Sequence, residues 1–362
     1  SRFRTAYTLN PPSERRRVSF FSIGTTEMND TKQVVRWGVL STAKIATKVS
    51  QAIRRARGTE LAAVASRTLE RATNWAKEHE AVHAYGSYEE LLDDPQIDAV
   101  YIPLPPSMHA EWTIRAAERG KHVLCEKPLA KDTAESVAMA NACRAHGVQL
   151  MDGVMWVHHE RTEAMRRKLD DGVLGKPRRV TAAFSFNWDE IPAGNIRLDR
   201  ELAGGCLGDL GYYCVRAITW ALQDLPVRVY ATARYYNDVE LNLSGLLWFA
   251  NDRVASFDCG FDTVYRKWFE ITGNQGSIVC DDFVVPWAEE KSRFWVHGVD
   301  GTSSEHSVNG CVQEVRMIER FSDIVRSGKL DDRWPAEAIT TMRICDALDE
   351  SARAEKIVEL RR

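Results

Sequence analysis

The chain has 362 residues, enough for two domains of ordinary size, and its 48 Lys+Arg against 51 Asp+Glu leave a net charge of −3. That balance excludes the basic footprint of a nucleic-acid or anionic-membrane binder, and no apolar run approaches the roughly 20 residues of a spanning helix. Hydrophobic residues make up 44%, which supports a sizeable core; the eight cysteines are scattered without a CxxC pair, so reduced cytoplasmic thiols are expected, with neither a disulfide framework nor a metal site.

Residues 1–33 carry Pro11-Pro12, Arg15-Arg16-Arg17 and many Ser/Thr without periodicity, so a flexible tail is expected. The apolar run at 18–24 is short, broken by serines and lacks a small-residue cleavage site, which argues against an export signal. Met28 is a candidate start. Beyond the tail, strand-type runs at 34–40, 61–65, 82–84, 98–102, 122–125 and 149–151 alternate with helical spacing at 43–57, 69–79, 87–92, 107–119 and 132–146. Such alternation predicts parallel strands and a doubly wound dinucleotide-binding (Rossmann) domain over 34–155. After a helix at 160–171, closely spaced strands at 178–187, 227–235, 241–249, 253–259, 267–272 and 277–280 predict a large, open, mostly antiparallel sheet. Helices are expected at 210–222, 311–327 and 336–354. The second domain, 156–362, is expected to bind substrate and carry oligomer contacts, and its last helix is a candidate to pack back on the first domain.

Four local signals bear on function. Ser41-Thr42-Ala43-Lys44-Ile45-Ala46 stands where a Gly-x-Gly-x-x-Gly/Ala loop would open a helix onto a pyrophosphate, with small residues at the key positions but neither leading glycine. An ordinary βα turn fits this stretch equally well. At the end of the second strand, Ser66-Arg67-Thr68 replaces the acidic residue of an NAD site. A hydroxyl and a guanidinium suit a 2′-phosphate, which favours NADP while leaving NAD possible; a solvated arginine at a helix start is the competing reading. Cys125-Glu126-Lys127-Pro128-Leu129 follows a strand, so Lys127 sits at the ligand-binding edge of the sheet, and a cis Lys–Pro bond would aim its ammonium into the crevice. Gly204-Gly205-Cys206-Leu207-Gly208-Asp209-Leu210-Gly211-Tyr212-Tyr213 leads into a helix with Asp209 and Tyr213 four residues apart on one face. A dipole-stabilising carboxylate and a core tyrosine would look the same.

In this order the signals resemble the Gfo/Idh/MocA family of glucose–fructose oxidoreductases and inositol dehydrogenases, from about residue 34 to the carboxyl end. The nearest look is to its NADP-dependent D-xylose dehydrogenase and dihydrodiol dehydrogenase branch, in which Trp-Gly-x-Leu-Ser-Thr-Ala and Ala-Ser-Arg recur. The resemblance implies proton transfer by Lys127 and Tyr213, with Asp209 orienting Lys127 or a substrate hydroxyl. It implies cofactor contacts at Ser41, Thr42, Ala43, Lys44, Ile45, Ser66, Arg67, Pro103, Leu104, His109, Glu126 and Lys127. His109 carries over from an Asn-x-x-His turn that here reads Pro106-Ser107-Met108-His109. His159 matches within Met155-Trp156-Val157-His158-His159-Glu160, where Val157 and Glu160 depart from the pattern. Substrate contacts are therefore expected from Lys127, Trp156, His159, Asp209 and Tyr213. The implied partners are a sugar or polyol and further copies of the chain, as a homodimer or homotetramer formed through the second sheet. An inositol, dihydrodiol or keto-sugar oxidoreductase is the near alternative. A regulator that senses NADP(H) without turnover would not need the proton-transfer groups, and a purely structural subunit would not need Ser66 and Arg67.

Overall fold

Buried strands alternating with amphipathic helices build a six-stranded parallel sheet in the computed structural model, which describes residues 34–360 except 189, 191 and 193. The expectations for residues 1–33 and Met28 lie outside the described residues. The strands are β1 (Val35–Leu40), β2 (Thr59–Ala65), β3 (His83–Tyr85), β4 (Ala99–Ile102), β5 (His122–Cys125) and β6 (Leu150–Asp152). The helices between them are α1 (Lys44–Arg55), α2 (Leu69–His79), α3 (Tyr88–Asp93), α4 (Pro106–Glu118) and α5 (Thr133–Ala145). The spatial order is β3-β2-β1-β4-β5-β6. It reverses between β1 and β4, whose carboxyl ends open the crevice where such sheets take ligands. Helix α1 closes at Arg55, before Gly58, whose positive φ of 68° turns the chain into β2.

A 3-10 turn at Met155–His158 and helix α6 (Glu160–Asp170) lead into a nine-stranded sheet. Its strands are β7 (Pro177–Asn187), β8 (Arg228–Tyr236), β9 (Val239–Trp248), β10 (Val254–Gly260), β11 (Asp262–Gly273), β12 (Gly276–Cys280), β13 (Ser292–Gly298), β14 (Ser303–Val308) and β15 (Val358–Glu359). They are ordered β14-β13-β12-β11-β7-β10-β9-β8-β15. Every pairing is antiparallel except β7 with β10, which is parallel. The sequence reading missed β13, β14 and β15. β14, Ser-Ser-Glu-His-Ser-Val, is an edge strand without apolar alternation, and β15 spans two residues.

Helix α7 (Tyr212–Leu222) covers β7, while α8 (Gln313–Ser327) and α9 (Arg333–Ala354) return to the first sheet. On α8, Phe321 packs 5.0 Å from Trp37 of β1, and the indole nitrogen of Trp37 donates to Ser322 Oγ at 3.3 Å. On α9, Asp346 accepts both the amide and the hydroxyl of Thr133 at the start of α5. Helix α9 begins ahead of residue 336 because Pro335 lies in its first turn, where a missing N–H costs nothing.

A buried ion pair ties these pieces together. Asp152, which ends β6, accepts the Tyr212 hydroxyl at 2.8 Å and Arg216 Nη2 at 3.2 Å. Arg216 also donates to Thr341 Oγ1 and pairs with Glu337, both on α9. Removing one partner strands a buried charge, which typically costs about 3–5 kcal/mol. Arg216→Met should lower unfolding stability by that order, and the Arg216→Met/Asp152→Asn double variant by less; urea titration of both proteins checks the difference.

Candidate active site

Lys127 leaves the carboxyl end of β5, and the Lys127–Pro128 peptide bond is cis. Its Nζ donates to Asp209 Oδ1 at 2.7 Å and to the Asp209 carbonyl at 2.8 Å. Asp209 sits in a π-helical turn, Leu207–Gly211, that runs directly into α7. Its other oxygen accepts Arg197 Nε at 2.6 Å. Arg197 is presented by a 3-10 turn, Ile196–Leu198, whose start is capped by Asn195. Burial works to raise the Asp209 carboxyl, but Lys127 and Arg197 outweigh it and hold the group below the usual carboxylate range.

Tyr213 lies one turn beyond Asp209 on the same face, and its ring centre is 5.0 Å from Lys127 Nζ. The ammonium meets the ring face, and the hydroxyl points at Met155 Sδ, 3.4 Å away. Burial, with the charges of Glu126 and Asp209 adding to it, pushes the phenol well above its ordinary pKa. In this arrangement Tyr213 is a neutral hydroxyl. Glu126 accepts the Tyr101 hydroxyl at 2.5 Å and the Lys127 amide at 3.1 Å, and burial raises its carboxyl.

The amino terminus of α1 could hold the phosphates of a cofactor. No side chain caps α1, whereas Thr68, Ser87, Asp132 and His159 cap α2, α3, α5 and α6. The amides of its first turn therefore lack a side-chain acceptor, and an anion fits them. Ser41 takes φ 144°, a conformation that favours glycine, and its Oγ accepts the Ala43 amide at 3.1 Å. The missing leading glycine is thus replaced by a strained serine with a local hydrogen bond. Thr42 and Ala43 are half-buried, and Lys44 and Ile45 are exposed. At the end of β2, Ser66 is buried and Arg67 is exposed. Arg71, one turn further along α2, donates to Thr42 Oγ1 at 3.2 Å. Pro103 and Leu104 are buried where β4 ends in the crevice.

A row of aromatic rings runs outward from Tyr213. Phe184 of β7 stands edge-on to it at 5.5 Å, Tyr265 follows at 6.4 Å, and Trp287 at 5.5 Å from Tyr265. Tyr265 projects because β11 carries extra residues opposite β7 between Asp262 and Arg266. Trp287, 57% exposed, is held by Lys267 Nζ 3.4 Å over its ring and by Asp282 on its amide.

The sequence reading missed Arg197, Arg71, Tyr101, Met155 and the Phe184–Tyr265 pair. The four-residue step from Arg67 to Arg71 was a readable signal. Arg197 lies in an irregular segment and offered none.

Two family models match the chain: an oxidoreductase family with an NAD-binding Rossmann fold over residues 35–154, and the GFO/IDH/MocA carboxyl-terminal domain over 162–279. A D-xylose 1-dehydrogenase (NADP(+)) of Haloferax volcanii is 36% identical over 328 residues, 90% of this chain and 99% of the relative. A trans-1,2-dihydrobenzene-1,2-diol dehydrogenase of Macaca fuscata fuscata is 32% identical over 247 residues, 67% of this chain and 73% of the relative. A solved 3-ketoreductase of Actinomadura kijaniata, in complex with NADP and TDP-benzene, superposes with a TM-score of 0.82 at 30% identity, covering 88% of this chain and 97% of the other.

Three expected site residues lie apart from the reacting groups. His109 is wholly buried, with Nδ1 facing the carbonyls of Pro128 and Leu129 and Nε2 facing that of Leu104. It braces the Lys127 loop against the end of β4, and its ring has no nitrogen left for a cofactor. Trp156 is fully buried edge-on to Trp220 and Phe283, so it is core. His159 caps α6 through Nδ1 and meets Ser292 Oγ through Nε2, so it orders a helix and does not face substrate. Burial, with Arg161 adding to it, lowers the His159 ring to about 4; burial, with Arg320 and Arg216 adding, lowers His158 to about 3. Between pH 6.5 and 4 the unfolded chain gains protons that the folded rings refuse, so stability falls as pH falls. His159→Asn, which keeps a side-chain cap, should flatten that fall by roughly 2–3 kcal/mol, read from urea unfolding at stepped pH.

Proposed function

The chain belongs to the Gfo/Idh/MocA oxidoreductase family, and from that we propose that it is an NADP-dependent dehydrogenase moving a hydride between the nicotinamide and a hydroxyl-bearing carbon of a sugar or related polyol, acting as an aldose 1-dehydrogenase of the D-xylose type. The observation that carries this reading is the Lys127–Asp209 contact at the carboxyl edge of the first sheet, with the Tyr213 ring beside it. Bound NADP⁺ supplies the hydride acceptor. The amides at the start of α1, with Ser41, Thr42, Ala43, Lys44 and Ile45, hold its pyrophosphate. Ser66 and Arg67 take the 2′-phosphate, and Pro103, Leu104 and Glu126 border the nicotinamide end. As the neutral amine, Lys127 Nζ would take the proton of the substrate hydroxyl and become the ammonium that pairs with Asp209; in the reverse direction that ammonium would give the proton back. Asp209 keeps Nζ aimed into the crevice, and Arg197 fixes Asp209 from behind. Tyr213 donates its hydroxyl to the substrate oxygen, moving from its resting contact with Met155.

A second reading, oxidation of a dihydrodiol, is favoured by the aromatic row from Phe184 to Trp287, which suits a flat apolar ring. We also place the chain in a reducing compartment, since all eight cysteines are free and buried. We further propose pairing of copies through the open face of the larger sheet, where Tyr230 and Trp268 are exposed. Among the described residues no helix is long and apolar enough to cross a membrane.

A panel of aldoses, polyols and dihydrodiols with NADP⁺ and NAD⁺, followed at the reduced-cofactor absorbance, tests the assignment; absence of turnover on every sugar and polyol overturns it. On the best substrate, Lys127→Met should lower the rate roughly 10²- to 10⁴-fold with NADP⁺ affinity little changed, and Tyr213→Phe should act in the same direction. Arg67→Ala should weaken NADP⁺ binding about 10- to 100-fold while leaving NAD⁺ binding nearly unchanged, measured by fluorescence titration of both cofactors.

A further inference from the structure

The π-helical turn that carries Asp209 begins against a buried carboxylate outside the site described so far. Glu240, near the start of β9, is 6% exposed, and its Oε1 accepts the Leu207 amide at 3.1 Å. Leu207 opens the helical run that continues without a break to Leu222. The carboxylate therefore sits at the positive end of the helix dipole, where an anion is favoured. The chain reaches this point through Gly205, at φ 120°. A Cβ there would lie 2.5 Å from Glu240 Oε1, so the glycine makes room for the carboxylate. Immediately before it, Gly204 admits no Cβ because the Arg197 carbonyl is 2.7 Å from where one would stand. The Gly205 amide donates to that same carbonyl at 2.8 Å. The Gly204-Gly205 pair is thus threaded between Glu240 and the backbone of Arg197, whose side chain holds Asp209. Among the described residues no lysine or arginine forms an ion pair with Glu240.

We propose that Glu240 is a positioning residue for proton transfer: by anchoring the Leu207 amide it fixes where Asp209 stands, and so where Lys127 points. This rests on the reading of Lys127 as the group that exchanges the substrate proton. Glu240 touches neither substrate nor cofactor and acts through two backbone steps and one carboxylate. A cavity of about 310 Å³ lies on its far side, lined also by Pro128, Leu207 and Gly208, the backs of the Lys127 and Asp209 segments.

The charge state of Glu240 has a place in this arrangement. Burial raises its carboxyl to about 7. The groups facing it are Asp349, Arg353, Cys345 and Asp346 from α9, Tyr235 from β8, Asp238 from the β8–β9 turn, Arg200 and Glu201 across the cavity, and Cys206 and Asp209 from the segment it anchors. Below about 7 the neutral acid keeps an accepting oxygen for Leu207 but loses its attraction for the helix terminus. Above about 7 the carboxylate grips that terminus more tightly. Activity should therefore rise with pH through a limb near 7 that belongs to Glu240. The stability term has the opposite sign. Between about 4.5 and 7 the folded chain holds a proton that the unfolded chain has released, so raising pH through that window weakens the fold at this residue.

The test compares wild type with Glu240→Gln and Glu240→Ala in the full chain. Glu240→Gln keeps the acceptor for Leu207 and removes the titration; it should fold, bind NADP⁺ as wild type does, and lose the limb near 7 in kcat. Glu240→Ala should lower kcat about tenfold or more with little change in cofactor affinity. Amine labelling of Lys127 by trinitrobenzenesulfonate, read by mass spectrometry, needs no substrate and should run several-fold faster in Glu240→Ala. Unchanged Lys127 labelling in Glu240→Ala, or an unchanged pH limb in Glu240→Gln, overturns the proposal. If Glu240→Ala does not fold, the pH limb of Glu240→Gln decides. A wild-type chain inert toward every sugar and polyol overturns the reading of the site instead, and the labelling comparison then decides the question for Glu240.

Discussion

Asp209 held between two cations is the contact on which the crevice depends. Lys127 arrives from the end of a parallel strand, Asp209 from a helical turn on the other sheet, and Arg197 from an irregular loop. Each charge is costly to bury alone, and the cost is offset only when geometry and hydrogen bonds are satisfied together. Asp209 meets that condition with both oxygens occupied. A lysine side chain with four rotatable bonds is thereby reduced to one direction, and Tyr213, one turn later, is carried into place by the same helix. The Asp152–Arg216 pair performs a purely structural version of this crossing deeper in the molecule, where α7 and α9 meet the end of β6. One buried pair fixes the body of α7, and the other fixes the turn that leads into it.

The cofactor end follows a different logic, in which groups are left without partners. Helix α1, like α4, begins with no side-chain cap, while α2, α3, α5 and α6 have one. Ser41 adopts a glycine-like φ and its hydroxyl accepts the Ala43 amide. Arg67 is exposed, and Arg71 lies within reach of the same loop. A helix terminus left open beside two guanidinium groups suits a polyanion better than an isolated phosphate. On the proposed function, the proton-transfer groups are saturated with protein contacts, and the start of α1 with Arg67 would take the cofactor. That difference matches their tasks, since a catalytic group has to be aimed in advance and a binding loop has to be vacant.

Much of this was legible in the sequence, for identifiable reasons. The first sheet follows from apolar runs of strand length alternating with helical spacing, because parallel strands are buried on both faces. Lys127 and Asp209 were legible because each sits at a fixed offset from an element end, after β5 and one turn before α7. Arg197 and Glu240 were not, because each acts through a contact distant in sequence. Arg197 reaches Asp209 from a loop without periodicity, and Glu240 reads as one polar residue in an alternating strand. His109, Trp156 and His159 were misplaced for the converse reason. A histidine or tryptophan near a motif looks the same whether it faces a ligand or a neighbouring strand. Burial decides between the two, and burial is a property of the assembled fold. The π-helical turn was invisible too, since Asp209 and the residues after it read as the start of an ordinary helix, whereas Glu240 and Lys127 hold the turn from either side.

The same division explains why the family is clearer than the substrate. The reacting groups come from strand ends and a helix start, positions set by the fold itself. The groups that meet the rest of a substrate come from elsewhere: Phe184 on the face of β7, Tyr265 on a bulged stretch of β11, and Trp287 in the loop after β12. Bulges and loops can change without disturbing the core, so these positions are less constrained by the fold than Lys127, Asp209 and Tyr213. Trp287 is nevertheless held in place, by a lysine beneath its ring and a carboxylate on its amide. A large apolar ring fixed in solvent gains nothing for the fold by its exposure, whereas it offers a preformed face to a ligand ring at little entropic cost. On the proposed function, selectivity would be carried by the aromatic row, and chemistry by the ion network at its inner end.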